Sequence, residues 1–182
     1  QAQVERHSID ARGPEDQRLS VDVSRFGAAP GRARRVLVAL SGTHGIEGFA
    51  GSAIQQHFLA EQLASLRLPE DGALLLVHAV NPWGMAFWRR ANEHNVDLNR
   101  NFVDFAAALP QRPEYAALHP LLCPAQLDEA SETAFLEAAR RLVTTHGLPW
   151  LARVISEGHY EFADGLYYGG REPEASNQIA RA

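Results

Sequence analysis

Five consecutive apolar residues, Val36-Leu37-Val38-Ala39-Leu40, are followed at once by Ser41-Gly42-Thr43-His44-Gly45. This junction constrains the fold more than any other stretch. An unbroken apolar run with β-branched members reads as a strand covered on both faces, hence a buried central strand. The small and polar residues end it. From Ile46 the period changes: Ile46, Phe49, Ala50, Ala53, Ile54, His57 and Phe58 follow i, i+3, i+4 spacing, the mark of an amphipathic helix. A second apolar run, Ala73 to Val80, repeats the strand signal and stops at Asn81-Pro82-Trp83-Gly84. Earlier, Leu19 to Phe26 alternates as a half-buried strand does. Residues from about Met85 to Gln126 read as irregular. Asp128 to His146 reads as an amphipathic helix stopped by Gly147, and Leu151 to Ser156 as a third strand. The expected fold class is α/β: one domain over residues 1–182, with a mixed, largely parallel sheet flanked by helices. Ligands of such sheets sit beyond the carboxyl ends of the strands.

Composition removes several functions. The chain is 46% hydrophobic and 21% charged, with a formal net charge of -5, so no basic face is offered to nucleic acid. No apolar run reaches the roughly 18 residues needed to span a bilayer, so no membrane partner is expected. A single cysteine, Cys123, lies between Pro120 and Pro124; it forms no internal disulfide and suits a packing role. A cytoplasmic address is the default expectation, and the oligomeric state is not written in the sequence.

The chemistry gathers at the strand ends. His44 and Glu47, three residues apart at a strand-to-helix junction, can point to one side. Imidazole nitrogen and carboxylate oxygen are both zinc donors. The spacing alone is common; its place after an apolar strand within SGTHGIEG gives it weight. Further on, Asn95-Val96-Asp97-Leu98-Asn99-Arg100-Asn101-Phe102 holds an arginine and an asparagine that can grip a carboxylate. Arg89 and Arg90 lie upstream and can face the same anion.

Taken in order, His-x-x-Glu after a strand, Asn-Pro-x-Gly, Arg-Arg and Val-Asp-Leu-Asn-Arg-Asn-Phe resemble the zinc carboxypeptidase superfamily. HGIEGFAGSAIQ, VHAVNPWGMAFWRRANEHNVDLNRNF and GLYYGGREPEASN are similar to a bacterial carboxypeptidase-like metallopeptidase family, with aspartoacylase and succinylglutamate desuccinylase as more distant relatives. The resemblance covers about residues 30 to 178. It implies that His44 and Glu47 bind zinc, that Asn99 and Arg100 bind the substrate carboxylate, and that Arg90, or alternatively Arg89, polarises the scissile carbonyl. It also implies a third zinc ligand, a later His, and a general-base Glu, neither of which follows Asn177. The sequence therefore reads as the N-terminal part of a longer domain, incomplete at its C-terminus. His159 is the in-chain substitute for the missing ligand, Glu157 and Glu161 for the base, and His78 reads as a core histidine.

The expected activity is zinc-dependent hydrolysis of an amide or peptide bond next to a free carboxylate, on a small peptide or N-acyl amino acid. The alternative is a non-catalytic module that keeps the fold and binds a carboxylate.

Overall fold

In the computed structural model, residues 3–182 are described and the chain forms two compact units, Gln1–Glu93 with Glu174–Ala182, and His94–Pro173. The first unit is built on a four-stranded sheet of order β1-β2-β4-β3, with β1 at Gln3–Arg12, β2 at Arg18–Gly27, β3 at Arg35–Leu40 and β4 at Gly72–His78. The β1–β2 and β2–β4 pairs are antiparallel; β3 and β4 run parallel. The sheet is thus mixed and the class α/β, with a smaller parallel share than the sequence suggested. Helix α1, Gly48–His57, lies in the crossover that joins the parallel strands β3 and β4.

The hydrophobic content of β4 puts it in the middle. Ala73, Leu74, Leu76 and Val77 are buried, and Phe26, Leu74 and Leu76 form a core against Ala39, Phe58, Leu63, Leu66 and Leu68. Each fully buried Leu, Val or Phe side chain contributes roughly 1.5–3 kcal/mol by leaving water. The expectation of a buried central strand at Val36–Leu40 is corrected. β3 pairs on one side only among the described residues, and Leu37 is 65% exposed, with Val36, Val38 and Leu40 also exposed. An apolar run records a preference for burial, not the presence of a cover.

One buried side chain locks α1 to the ends of β3 and β4. Gln55 Nε2 donates to the Ala39 carbonyl at 3.1 Å and the Val77 carbonyl at 3.2 Å, and the Ser41 hydroxyl donates to Gln55 Oε1 at 3.0 Å. A buried amide with its donors and acceptor satisfied specifies a single docking geometry. Helix α2, Pro82–Ala86, follows β4, and α6, Ala175–Arg181, packs near β1.

The second unit is helical: α3 at Pro113–Leu122, α4 at Glu129–His146 and α5 at Leu148–Ser156. Two expectations fail here. α3 lies within the stretch read as irregular; its start is set by Pro113 in the first turn. Leu151–Ser156 is helix, not strand. Gly147, at φ 84, stops α4, and Pro149 opens the next helix, so the apolar residues Leu151 and Val154 recur at i, i+3 and meet Tyr115 and Leu118. Asp128 caps α4 through a reciprocal box with Ser131. No helix among the described residues is long and apolar enough to cross a membrane.

Candidate functional site

In the first unit the chain between β3 and α1 is folded back against the segment after α2. Gly45 N–H donates to the Arg90 carbonyl at 3.4 Å and Ile46 N–H to the Arg89 carbonyl at 3.1 Å. Asn81, fully buried, joins the two: its Oδ1 caps α2 by accepting from Gly84 N–H at 2.8 Å, and its Nδ2 donates to the Arg90 carbonyl at 3.2 Å. Gly42, at φ 73, supplies the left-handed turn after β3, and its carbonyl accepts from Asn81 N–H at 2.7 Å.

This scaffold brings His44, Glu47 and Arg90 together. His44 is buried; its Nδ1 lies 3.2 Å from Glu47 Oε2. Glu47 immediately precedes α1 and is exposed. Its other oxygen accepts from Arg90 Nη1 at 2.8 Å. Between two exposed side chains such an ion pair adds little stability, so its interest is positional. Arg89 is exposed. Of the two arginines left open by the sequence, Arg90 is the one whose guanidinium reaches the His44–Glu47 pair.

Asn99 and Arg100 belong to the second unit. They sit in a short 3-10 turn, Leu98–Arg100, capped by Asp97, whose Oδ1 accepts from Asn99 N–H at 3.0 Å. Arg100 Nε and Nη2 donate to the Ser156 carbonyl at 3.2 and 2.6 Å, and the Arg100 carbonyl accepts from Tyr160 at 2.7 Å. Asn101, also buried, donates to the Gly169 and Glu172 carbonyls, both at 2.9 Å. The polar octet is thus the hub of the second unit's loops as well as a candidate clamp.

The remaining candidates have local employment. His159 is 1% exposed. Its Nε2 donates to the Leu166 carbonyl at 3.1 Å, its Nδ1 accepts from Phe162 N–H at 3.4 Å, and it stacks on Tyr115 at 3.8 Å. Burial pulls its pKa down to about 4. With both nitrogens committed, it is a structural histidine and not a substitute ligand. Glu157 pairs with Arg112 and Arg153. His78 Nε2 meets the Ser52 hydroxyl at 2.9 Å. Burial pushes the Cys123 thiol up, against a nucleophilic role. Glu93 and Glu174, both in the first unit, bring carboxylate oxygens within 4.8 Å, and Asn92 Nδ2 donates to Glu174 at 2.8 Å. Among the described residues no further His, Cys, Asp or Glu completes a three-donor set with His44 and Glu47.

Asn81 and Gln55 carry the geometry of the site and were not singled out by sequence reasoning. Asn before Pro at a strand end was the available signal for a cap. Nothing in the sequence marks Gln55.

The profile of the family described as "Protein of unknown function (DUF2817)" matches residues 1–182. The chain belongs to that family. No curated protein matches this DUF2817 chain. Among solved structures it is similar to a succinylglutamate desuccinylase/aspartoacylase family protein from Shewanella amazonensis, at 24% identity and TM-score 0.41, over 82% of this chain and 39% of that one. A protein described as a succinylglutamate desuccinylase/aspartoacylase from Shewanella frigidimarina matches at 20% identity and TM-score 0.42, over 79% and 38%. An aspartoacylase family protein from Mesorhizobium loti matches at 22% and 0.41, over 56% and 30%. The chain therefore spans between 30 and 39% of the length of these structures.

Proposed function

We propose that this chain carries part of the active site of a zinc-dependent hydrolase that cleaves an amide or peptide bond beside a free carboxylate. The observation that supports this most is the 3.2 Å separation of His44 Nδ1 and Glu47 Oε2, with Arg90 on the carboxylate's other oxygen. Two donors on one tetrahedral zinc, each at roughly 2.1 Å, stand about 3.4 Å apart, so the residues fit the ion. When bound, zinc supplies Lewis acidity, activating water and polarising a carbonyl. His44 and Glu47 would hold it. Arg90 keeps Glu47 oriented through the oxygen not needed for ligation. Its guanidinium is the candidate to stabilise negative charge on the scissile carbonyl oxygen. Arg100 presents its Nε–Nη2 edge to Ser156, which leaves its end-on edge for a substrate carboxylate, with Asn99 beside it in sequence. A planar guanidinium edge of this kind suits a carboxylate, which it can hold through two parallel hydrogen bonds.

Two protein ligands fall short of the three that a catalytic zinc needs. Zinc titrated calorimetrically into this 182-residue chain is accordingly expected to bind weakly. In a longer polypeptide of the family, one zinc per chain is expected, lost in His44→Ala and in Glu47→Gln. Elemental analysis that finds no zinc in the longer protein sinks the hydrolase reading, and tight binding by the 182-residue chain would reveal a third ligand within it.

The clamp has its own test. Arg100→Lys should raise KM for substrates with a free carboxylate by the worth of a charged hydrogen bond, about 1–3 kcal/mol, because an ammonium does not reproduce the planar fork. Amidated substrates should respond much less. Equal losses on both would assign Arg100 to its Ser156 contact alone.

A further inference from the structure

Two aromatic rings flank the site without serving it. Phe49, two residues beyond Glu47, is 45% exposed; Trp88, two residues before Arg90, is 68% exposed; their centroids lie 5.2 Å apart. The two segments run side by side, crosslinked by Glu47–Arg90 and by Ile46 N–H on the Arg89 carbonyl, with Ile46 itself 47% exposed. Trp88 also sits at φ 57, in the left-handed region. That conformation is costly for a bulky residue, and its reward here is an indole held in solvent rather than in a core. A strained backbone that displays an aromatic ring next to candidate metal donors fits a ligand contact better than a packing device.

We propose that Trp88, Phe49 and Ile46 form a shelf for an apolar acyl or aryl group of the substrate, adjoining the bond that is cleaved. This rests on the hydrolase reading and narrows its substrate class. The shelf itself is three apolar side chains; of the positive groups beside it, Arg90 is drawn to Glu47 and Arg89 extends into solvent. A second carboxylate on the acyl group would meet ring faces, whereas a benzoyl or alkyl chain would bury apolar area against them. The preferred substrates are therefore N-aroyl or N-alkanoyl amino acids, or peptides with an apolar residue before the scissile bond, and not acidic acyl donors.

The test uses the complete protein and a series with one common amino acid carrying N-acetyl, N-hexanoyl, N-benzoyl or N-succinyl groups. The wild type should favour benzoyl over acetyl in kcat/KM by about tenfold or more, the scale set by a few apolar contacts. Trp88→Gly suits the left-handed backbone, so the ring is removed without adding strain. The benzoyl-to-acetyl ratio should then fall about fivefold. In a background where Trp83, Trp150 and any tryptophan beyond residue 182 are replaced by Phe, Trp88 emission should be quenched by the N-benzoyl amino acid. An unchanged ratio, an equal loss across the series, or preference for the succinyl substrate overturns the shelf. So does a Trp88 already shielded from acrylamide before substrate is added, since further polypeptide would then cover it. If none of the series is hydrolysed while N-benzoyl amino acid still quenches Trp88, the hydrolase reading falls and the apolar subsite stands.

Discussion

Replacing Gly45 with alanine is expected to cost about 3 kcal/mol of stability, the upper range for forcing atoms into a packed region. A Cβ there would overlap the Gly84 carbonyl carbon and the Met85 nitrogen, which are backbone atoms that no rotamer change can clear. The 44–47 turn would have to lift off the segment that Asn81 fixes, breaking the Gly45–Arg90 and Ile46–Arg89 bonds together. Urea unfolding reads the cost. Gly31→Ala is the comparison: nothing lies within 4 Å of its Cβ, and φ 80 is its only penalty, so about 1 kcal/mol is expected. If the two variants shift the midpoint equally, the 44–47 turn is free to move and does not pre-place His44 and Glu47.

Acid should weaken the second unit well before carboxylates titrate. His159 is neutral when folded, with its pKa drawn down to about 4 by burial, against about 6.5 for an exposed imidazole. Between those values the unfolded chain binds a proton that the folded one refuses. The stability from this group is fully present above pH 6.5 and is lost as the pH falls toward 4. The limit is about 3 kcal/mol, reached near pH 4, below which His159 adds nothing more. Protonation would also turn the Nδ1 acceptor of Phe162 N–H into a donor. The arginine-paired Asp22 and Asp71 and the capping Asp128 are held below the usual carboxylate range, so their losses come at lower pH. Denaturation midpoints followed from pH 7 to pH 4 should fall, and His159→Phe should flatten that slope even though it starts less stable. A slope that survives the substitution would show that His159 is not the group responsible.

Period and punctuation in the sequence are sufficient for β2, β4, α1 and α4, because each carries either a clean alternation or an i, i+3, i+4 stripe with a cap. The helix α5 escaped because Leu151–Ser156 is short and apolar. Such a run fits either state until the stop at Gly147 and the Pro149 start are weighed. The edge position of β3 escaped for a different reason: strand order is a property of pairing, and β4 has the same composition. At the site, the His44–Glu47 pair and its polar neighbours were legible as residue types. The choice of Arg90 was not, since it depends on which side of a left-handed Trp88 the next residues leave the turn. Asn81 and Gln55 act through backbone groups distant in sequence, and no local pattern announces that.

The open edge of β3 has a practical consequence for handling this polypeptide. Val36–Leu40 offers unsatisfied ladder groups beside apolar side chains, with Arg35 at one end and no proline, lysine or bulge to blunt it. Natural sheets guard such rims because they seed intermolecular cross-β growth. Expressed by itself, the 182-residue chain is set to fail as a precipitate rather than as an unfolded coil, and its yield will follow concentration more closely than temperature. A single lysine in place of Val38 would then do more for its handling than any improvement to its core.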